Sequence, residues 1–588
     1  MTAHEALKTY FGYDDFRPLQ AEIVQSVLDG RDTLALMPTG GGKSLCFQVP
    51  TMAMNGLCLV ITPLIALMKD QVENLRRRDI HAAAIYTGMS YEQQKTALDN
   101  CMWGPYHFLY VSPERLESEE FRERLARLPI SLIAVDEAHC ISQWGYDFRP
   151  SYLKIAEIRD IIANSAASNS SQSERPIAQR TSNNQVPILA LTATATPEVV
   201  DDIQERLAFR EKNVLRKSFL RSNLSYVVRE TNKKADEIVH ILSRVPGSAI
   251  VYVRNRQRAQ ELAAYLQDQG LSADFYHAGL SSKERAAKQE AWKIGEKAMR
   301  REGERPGTRV IVATNAFGMG IDKPDVRVVI HHDLPDTIEA YFQEAGRAGR
   351  DEQKAFAVLL YDPSDKTKAR KRITDNYPQE DMLHDVYHKT CNYLGVGADS
   401  GQGATFFVDI FDLCKKMHLP VFPTYSALHL LSQMGYFSFD EEQEIQPRVR
   451  LRVSRRELEE YRLTEEQSEM LEHLMREYTG IFTDLQYVHK LDDKHQELVA
   501  LAQRRIIDYV PRTKANVLRL TVNRQAQIRI PQDFYNDRKN HYTSKLKAMV
   551  EYAENKHYCR SQVLLAYFGE NDAPTCGTCD ICRANTNH

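Results

Sequence analysis

Four groups of residues in this 588-residue chain have the types and spacing for chemistry. The first is Met37-Pro-Thr-Gly-Gly-Gly-Lys-Ser44. Gly40, Gly41 and Gly42 let backbone N–H groups converge on phosphate oxygens, and a helix starting after Ser44 adds its partial positive charge. Lys43 can reach the β- and γ-phosphates of a nucleoside triphosphate, and the Ser44 hydroxyl can ligate Mg²⁺. The full phosphate-loop pattern begins with glycine; here that position is Met37. A tight strand-to-helix turn is the alternative. The second group is Asp136-Glu137, in which Asp136 can hold Mg²⁺ opposite Ser44 and Glu137 can orient and deprotonate a water. The third is Arg347 and Arg350, which at this spacing can share a helical face and stabilise the charge of phosphoryl transfer. Arg350 is placed first and Arg347 second; a surface arginine pair is the alternative. The fourth is Cys559, Cys576, Cys579 and Cys582, whose short gaps suit a tetrahedral structural Zn²⁺ site. An iron–sulfur cluster is the chemical alternative.

These residues need elements to hold them. Thr33-Leu-Ala-Leu36 reads as a short strand and Leu45 onward as a helix, the context a phosphate loop requires. Leu57–Ile61, Phe108–Val111, Leu132–Val135 and Ile188–Leu191 are further apolar strands. Each delivers polar residues at its carboxyl end, where ligands bind in open α/β sheets. Gln20, at the start of a helical pattern just upstream, offers a donor and an acceptor to an adenine edge. After Asp136-Glu-Ala-His139 the rings of Trp144, Tyr146 and Phe148 stand beside Arg149. Such rings can stack unpaired bases; the alternative is a hydrophobic loop packed on its own lobe.

Further on, strands and helices alternate again, which predicts a second parallel sheet. It includes 248–253, a helix over 257–269, 273–280, a helix from Ser282, and a buried strand from Arg309 to Thr314. Gly318 and Gly320 follow, where a backbone could approach a DNA phosphate. Residues 164–186 are Ser- and Asn-biased with no apolar period, and 293–309 carry six Lys/Arg against three Glu. Both read as exposed insertions.

The glycine loop, the Asp-Glu-Ala-His box and the aromatic loop together resemble the RecQ family of superfamily two DNA helicases. Phe219 to Tyr226, Gln343 to Arg350, and the text around the four cysteines are similar to that family too. The resemblance implies two tandem RecA-like parallel-sheet lobes, residues 1–208 and 209–365. It implies ATP, Mg²⁺ and Zn²⁺ as cofactors and 3′ to 5′ movement on single-stranded DNA with duplex unwinding, in recombination and repair. Tailed or branched duplexes are implied substrates, and single-strand-binding or repair proteins are candidate partners. Its implied nucleotide contacts are Arg17, Gln20, Thr39, Gly40, Gly41, Gly42, Lys43, Ser44 and Asp322. Its implied catalytic set is Lys43, Asp136, Glu137, His139, Gln343, Arg347 and Arg350. Ser112, Trp144, Phe148, Arg149 and Thr314 are the implied DNA contacts. The family usually has His where this chain has Tyr146.

Residues 366–533 carry over least. Lys366 to Arg372 is a basic run, either a solvated face or a DNA-facing linker. Tyr425 to Met434 reads as a helix, Tyr436 to Phe439 as a strand, Asp440 to Glu444 as a turn and Arg448 to Val453 as a strand, a winged-helix-like order. Arg448, Arg450 and Arg452 then share one face, available to duplex phosphates or to solvent. Residues 470–530 repeat the arrangement weakly, with strands at 517–522 and 527–530. The expected fold is therefore α/β: two lobes, a mixed helical and winged-helix-like region, and a zinc-binding helical module at 534–588. In the family the zinc module usually follows the motor directly, and no further C-terminal domain is expected here.

A net charge of −3 excludes a globally basic nucleic-acid binder, so any such surface is local. With 43% hydrophobic residues but no membrane-length apolar run and no secretory layout at the N-terminus, a cytoplasmic protein is expected, nucleoid-associated if bacterial. Cys46, Cys58, Cys101, Cys140, Cys391 and Cys414 read as small buried residues rather than disulfide partners. Three other functions compete with unwinding: a translocase that leaves strands paired, a non-catalytic nucleic-acid scaffold, and an RNA helicase.

Overall fold

The computed structural model describes the chain apart from residues 39, 87–88, 143–148, 169–185, 296–306, 319–322, 446–447, 454–456, 478–485, 488–494, 511–512 and 587–588. Most of the two Ser/Asn-rich and basic insertions, the aromatic loop through Phe148, Gly320 and Asp322 thus lie outside the described residues. The helix Lys154–Ser168 runs into the start of the first insertion.

Among the described residues the first lobe is a seven-stranded sheet. Its strands are β1 (Thr33–Leu36), β2 (Leu57–Ile61), β3 (Ala82–Ile85), β4 (Phe108–Val111), β5 (Ile130–Val135), β6 (Ile188–Thr192) and β7 (Val214–Arg216). They lie in the order β3-β4-β2-β5-β6-β1-β7, and every pair is parallel. The residues of β1, β2, β4 and β6 are all buried. Parallel strands covered on both faces read as unbroken apolar runs, which is why these four are visible in the sequence. β3 is Ala-Ala-Ala-Ile and β7 only three residues, so neither carries that signal.

The second lobe repeats the principle with β8 (Leu224–Glu230), β9 (Ser248–Tyr252), β10 (Ala273–Tyr276), β11 (Val310–Ala313), β12 (Val326–His331) and β13 (Ala355–Tyr361), ordered β10-β11-β9-β12-β13-β8 and all parallel. The chain passes between the lobes through residues 217–223, from β7 in one sheet to β8 in the other.

Both lobes form one compact unit, Met1–Ala369, together with Thr543–His588. The C-terminal segment is packed firmly into it. Phe568 meets Phe219 and Phe342 at ring-centroid distances of 5.4 and 5.0 Å, and Tyr552 meets Tyr341 at 5.3 Å. Lys545 and Glu339 make a buried ion pair at 2.9 Å.

Residues Arg370–Tyr542 form the second unit, an insertion between the two segments of the first. Its helix Glu380–Tyr393 is followed by β14 (Thr405–Val408), the helices Ile410–Met417 and Val421–Gln433, and β15 (Phe437–Ile445). Then come β16 (Arg448–Leu451), β17 (Gln486–Tyr487), β18 (Ile507–Val510) and β19 (Thr513–Leu520). β15 pairs antiparallel with β19, in the sheet β14-β19-β15. This helix, strand, two helices and two strands has the order of a winged helix, with its core at Leu383, Leu413, Leu428, Leu431 and Leu518. Residues 446–512 sit between the two wing strands. They hold the sheet β17-β16-β18 and a separate small core around Leu471, Leu498 and Ile507.

Three expectations are corrected here. The acidic stretch Asp440 to Glu444 is strand, not turn, because it contains no Gly, Pro or Asn to bend the chain and β15 is an edge strand, where charge is tolerated. The strand at Arg448 therefore pairs with β17 and β18, not with β15. Residues 527–530 are not a strand; Ile528 and Ile530 are instead buried in the core of this unit. Arg450 Nε, on β16, bonds Asp508 Oδ2 at 2.8 Å and Arg452 Nε, just after the strand, pairs with Asp508 Oδ1 at 2.7 Å, so the basic face is partly neutralised by β18. Among the described residues no helix is long and apolar enough to cross a membrane.

Candidate active site and metal centre

The phosphate loop leaves the end of β1 and closes on the helix Leu45–Met54, with Ser44 at its N-cap. Gly40 and Gly42 have φ of +82° and +79°, backbone that side chains other than glycine rarely adopt. The loop is braced from outside. Gln20 Nε2 donates to the carbonyls of Gly41 (3.2 Å) and Gly42 (3.1 Å), and Arg17 Nη1 donates to that of Gly40 (2.9 Å). Gln20 Oε1 accepts from the Arg17 backbone N–H, so both polar ends of this side chain are engaged by the loop and its approach. Thr39 lies outside the described residues.

Asp136 and Glu137 leave the end of β5. Glu137 has φ of +48°, a left-handed conformation that a non-glycine residue holds only when its surroundings impose it. Its Oε1 lies 3.9 Å from Lys43 Nζ, and its Oε2 lies 3.4 Å from His139 Nδ1. Burial pushes the Glu137 carboxyl up, but Lys43, His139 and Arg347 outweigh it and hold the group below the usual carboxylate range. For Asp136, burial and the neighbouring Glu137 charge push the carboxyl up. His139 is buried and also bonds Thr192 Oγ1 at 2.9 Å, which ties the acidic box to the Thr192-Ala-Thr194 segment at the end of β6.

Two partners were not singled out in the sequence. Gln71, on the helix Ile65–Arg76, donates to Ser44 Oγ at 2.9 Å. Its own Oε1 accepts from Gln48 (3.2 Å) and from the Tyr110 hydroxyl (3.3 Å), which fixes the amide's orientation. Thr62, at the end of β2, donates to Asp136 Oδ2 at 3.4 Å. Both follow from the strand order, which sets β2 beside β5.

From the second lobe, Gln343, Arg347 and Arg350 face the same cleft as Lys43, Ser44, Asp136 and Glu137, a cavity of about 660 Å³. The arginines do not share a helical face as expected. The helix Ile338–Ala345 ends before them, and they stand on the turn that follows. The turn is allowed by Gly349, at φ of +61°. Gly318 approaches Arg347 rather than standing free for a DNA phosphate. Arg347 Nη1 donates to the Gly318 carbonyl, and a Cβ at Gly318 would lie 2.5 Å from Nη2.

Three of the DNA candidates lie among the described residues. Ser112 and Thr314 are 1% and 7% exposed, so neither presents its side chain to solvent. Arg149 bonds the Pro63 carbonyl at 3.4 Å and pairs with Glu114 at 3.6 Å, on a second cleft of about 340 Å³ shared with Arg254, Asn315 and Arg347. Trp144 and Phe148 lie outside the described residues, as do Tyr146 and Asp322.

The four cysteines do come together. Their Sγ atoms all lie within 4.8 Å of one another, with Cys559 to Cys576 at 3.4 Å and Cys559 to Cys579 at 4.0 Å. Backbone N–H groups of Cys576, Cys579 and Cys582 each donate to a neighbouring cysteine sulfur at 3.3 Å, as suits thiolates. Four thiol ligands at this separation fit a closed tetrahedral Zn²⁺ site. The other six cysteines are buried singly, as expected.

Comparison with known proteins agrees with this layout. Residues 17–203 match the DEAD/DEAH box helicase family, residues 233–352 the helicase conserved C-terminal domain, and residues 521–583 the RecQ zinc-binding family. The ATP-dependent DNA helicase RecQ of Pasteurella multocida is 39% identical over 365 residues, 62% of this chain and 53% of that protein. The probable ATP-dependent DNA helicase RecS of Bacillus subtilis is 39% identical over 366 residues, 61% of this chain and 67% of that protein. The chain thus spans little more than half the length of the first of these relatives. Among solved structures, the DUF1998 helicase MrfA bound to DNA aligns with a TM-score of 0.49 at 18% identity, over 63% of this chain and 50% of that one. Identity of this extent across both lobes, joined to the zinc-module match, makes this chain a member of the RecQ family of superfamily two helicases.

Proposed function

We propose that the protein is an ATP-dependent DNA helicase that couples ATP hydrolysis to 3′ to 5′ movement along single-stranded DNA and to duplex unwinding, in recombination and repair. The observation that carries the reading is the cleft in which Lys43, Ser44, Asp136 and Glu137 of one lobe face Arg347 and Arg350 of the other. Lys43 binds the β- and γ-phosphates, with the loop N–H groups around them. Ser44 Oγ and the Asp136 carboxylate are hard oxygen donors on the same wall, and they would hold Mg²⁺. That ion supplies charge neutralisation between the phosphates when bound. Glu137, kept ionised by Lys43, His139 and Arg347, orients the attacking water and takes its proton. Arg350 and Arg347 stabilise the charge that develops on the transferred phosphoryl group.

ATP draws the lobes together and hydrolysis releases them, which becomes stepping if each lobe grips the same strand. The His139 to Thr192 bond gives lobe one a route from the hydrolytic residues to the end of β6. Arg149, Trp144 and Phe148 remain the candidate strand contacts, Ser112 and Thr314 are buried and would need the strand to reach them through a shift of their surroundings, and Asp322 is a further proposed nucleotide contact. Tailed duplex DNA is the proposed substrate, single-strand-binding or repair proteins the proposed partners, and the cytoplasm or nucleoid the proposed location.

A second reading, translocation without strand separation, is favoured by Asp508, which occupies the basic face of β16 that would otherwise meet duplex phosphates. One assay separates the two: ATP turnover with and without single-stranded DNA, then strand displacement from 3′-tailed and 5′-tailed duplexes. Stimulated turnover with displacement of 3′-tailed substrates is expected. Stimulated turnover without displacement supports the second reading, and no stimulation defeats both.

A further inference from the structure

The segment joining the lobes does more than connect them. Arg221, in the middle of it, extends its guanidinium beneath the turn that carries the arginine pair. Nη1 donates to the Gly346 carbonyl at 3.3 Å, and Nη2 donates to those of Ala348 (3.0 Å) and Gly349 (2.6 Å). Nε is held by Asn223 Oδ1 at 3.3 Å, and Asn223 Nδ2 donates in turn to Gly349 O (2.7 Å) and Gln353 O (2.9 Å). Three of the carbonyls that alternate with Arg347 and Arg350 along the backbone are thus gathered on one planar fork. They follow the C-terminus of the helix Ile338–Ala345, where orphan carbonyls and the negative end of the helix dipole favour a cation.

The other end of the segment is fixed as well. Glu570, between Cys559 and Cys576 in the chain, accepts from the Phe219 backbone N–H at 2.8 Å and from Ser218 Oγ at 2.7 Å. Arg216 Nη1 donates to the Phe568 carbonyl at 3.2 Å. The linker is therefore pinned by the C-terminal segment two residues before Arg221 and pinned to the arginine turn by Arg221 itself.

We propose that Arg221 is the positioning residue for the arginine pair: it sets the turn 346–350 so that Arg347 and Arg350 reach the nucleotide, and it makes their placement depend on the course of the linker between the lobes. The inference rests on the ATPase reading above. Arg221 touches no reacting group, so its loss should act only through the two arginines. A displacement of about 1 Å at a phosphoryl-transfer site lowers turnover about a hundredfold.

The test is a double-mutant cycle on the full chain, with ATP turnover measured under single-turnover conditions and nucleotide affinity measured with a fluorescent ADP analogue. Arg221→Ala should lower turnover about a hundredfold without changing affinity for the analogue. Arg221→Lys keeps the charge but not the fork, and should recover only part of the loss. In a chain already carrying Arg347→Ala and Arg350→Ala, adding Arg221→Ala should change nothing further. Zinc content and melting temperature report that each variant is folded; should Arg221→Ala fail to fold, Asn223→Ala, which removes the two bonds from Asn223 Nδ2 and the Oδ1 acceptor of Arg221 Nε but leaves the guanidinium in place, takes its place in the cycle. An Arg221→Ala chain that is folded and fully active overturns the proposal. So does the same fold-loss in the chain lacking both arginines. A wild-type chain that turns over no ATP overturns the motor reading, and this inference with it.

Discussion

At the scale of single residues, the cleft is a set of charges, each held by a neighbour, and the neighbours were the harder part to foresee. Lys43, Ser44, Asp136 and Glu137 are legible in the sequence because each belongs to a motif whose spacing has a chemical reason. Lys43→Ala should abolish hydrolysis while DNA binding persists, seen in a turnover assay beside fluorescence anisotropy; a mutant with normal turnover would remove the phosphate role. Gln71 has no motif. It stands in an ordinary amphipathic helix, and only the fold sets its amide against the Ser44 hydroxyl. Groups that orient a metal ligand typically contribute ten- to a hundredfold in metal affinity. Gln71→Ala is therefore expected to raise the Mg²⁺ concentration for half-maximal turnover about tenfold. A magnesium titration that superimposes on wild type would show that Ser44 needs no such partner.

At the scale of elements, close approaches decide which substitutions the chain can absorb. The atoms nearest a Cβ at Gly318 belong to the Arg347 guanidinium, the far end of a flexible side chain, at 2.5 to 2.9 Å. Gly318→Ala should therefore fold normally and displace Arg347, lowering kcat by about a hundredfold, the loss that a displacement of about 1 Å brings. A Cβ at Gly349 meets the Ala355 Cβ at 2.8 Å and the Gln353 carbonyl at 2.9 Å on a backbone already at φ of +61°. Gly349→Ala should lower the melting temperature instead, and calorimetry beside kinetics separates the two outcomes. Parallel strands buried on both faces were readable as apolar runs, whereas β3 escaped because alanine marks helix as readily as strand. The wing failed for another reason. Strand pairing is set by what lies opposite, and β19, the partner of β15, begins at Thr513, 68 positions further along the chain from Ile445. Ile445 and Thr513 face each other in that pairing, so a two-residue Asn-Gly turn can replace residues 446–512. The shortened chain should keep the melting transition of residues 370–542, because the inserted part has its own core. Loss of that transition would mean that the insertion holds the wing together.

At the scale of the whole molecule, the pair of lobes was legible and the interruption of their unit was not. The sequence places an accessory region between motor and zinc module. What no local pattern could reveal is that the segment after it returns to the motor's own unit, so that the cysteine cluster and the lobes are one body interrupted by residues 370–542. This arrangement fixes what metal removal should do. Cys559 is the N-cap of the helix Arg560–Tyr567, and Cys582 lies on the helix Asp580–Thr586. Asp580 pairs with Arg560 at 3.0 Å and accepts from the Val228 N–H of β8 at 3.4 Å. Four ligands on these short segments replace the core that so small a module lacks, and without metal nothing ties the segments together. Release of the metal should loosen Phe568 from Phe219 and Phe342, and with it the packing on the second lobe. The inserted unit keeps a separate core and should not respond. Scanning calorimetry of Cys579→Ser, or of the wild type with a chelator, should therefore show the motor transition lowered and the other unmoved, with roughly one zinc per chain lost in elemental analysis. A Cys579→Ser chain that is free of zinc yet melts as wild type would show that the module is held by its apolar contacts alone.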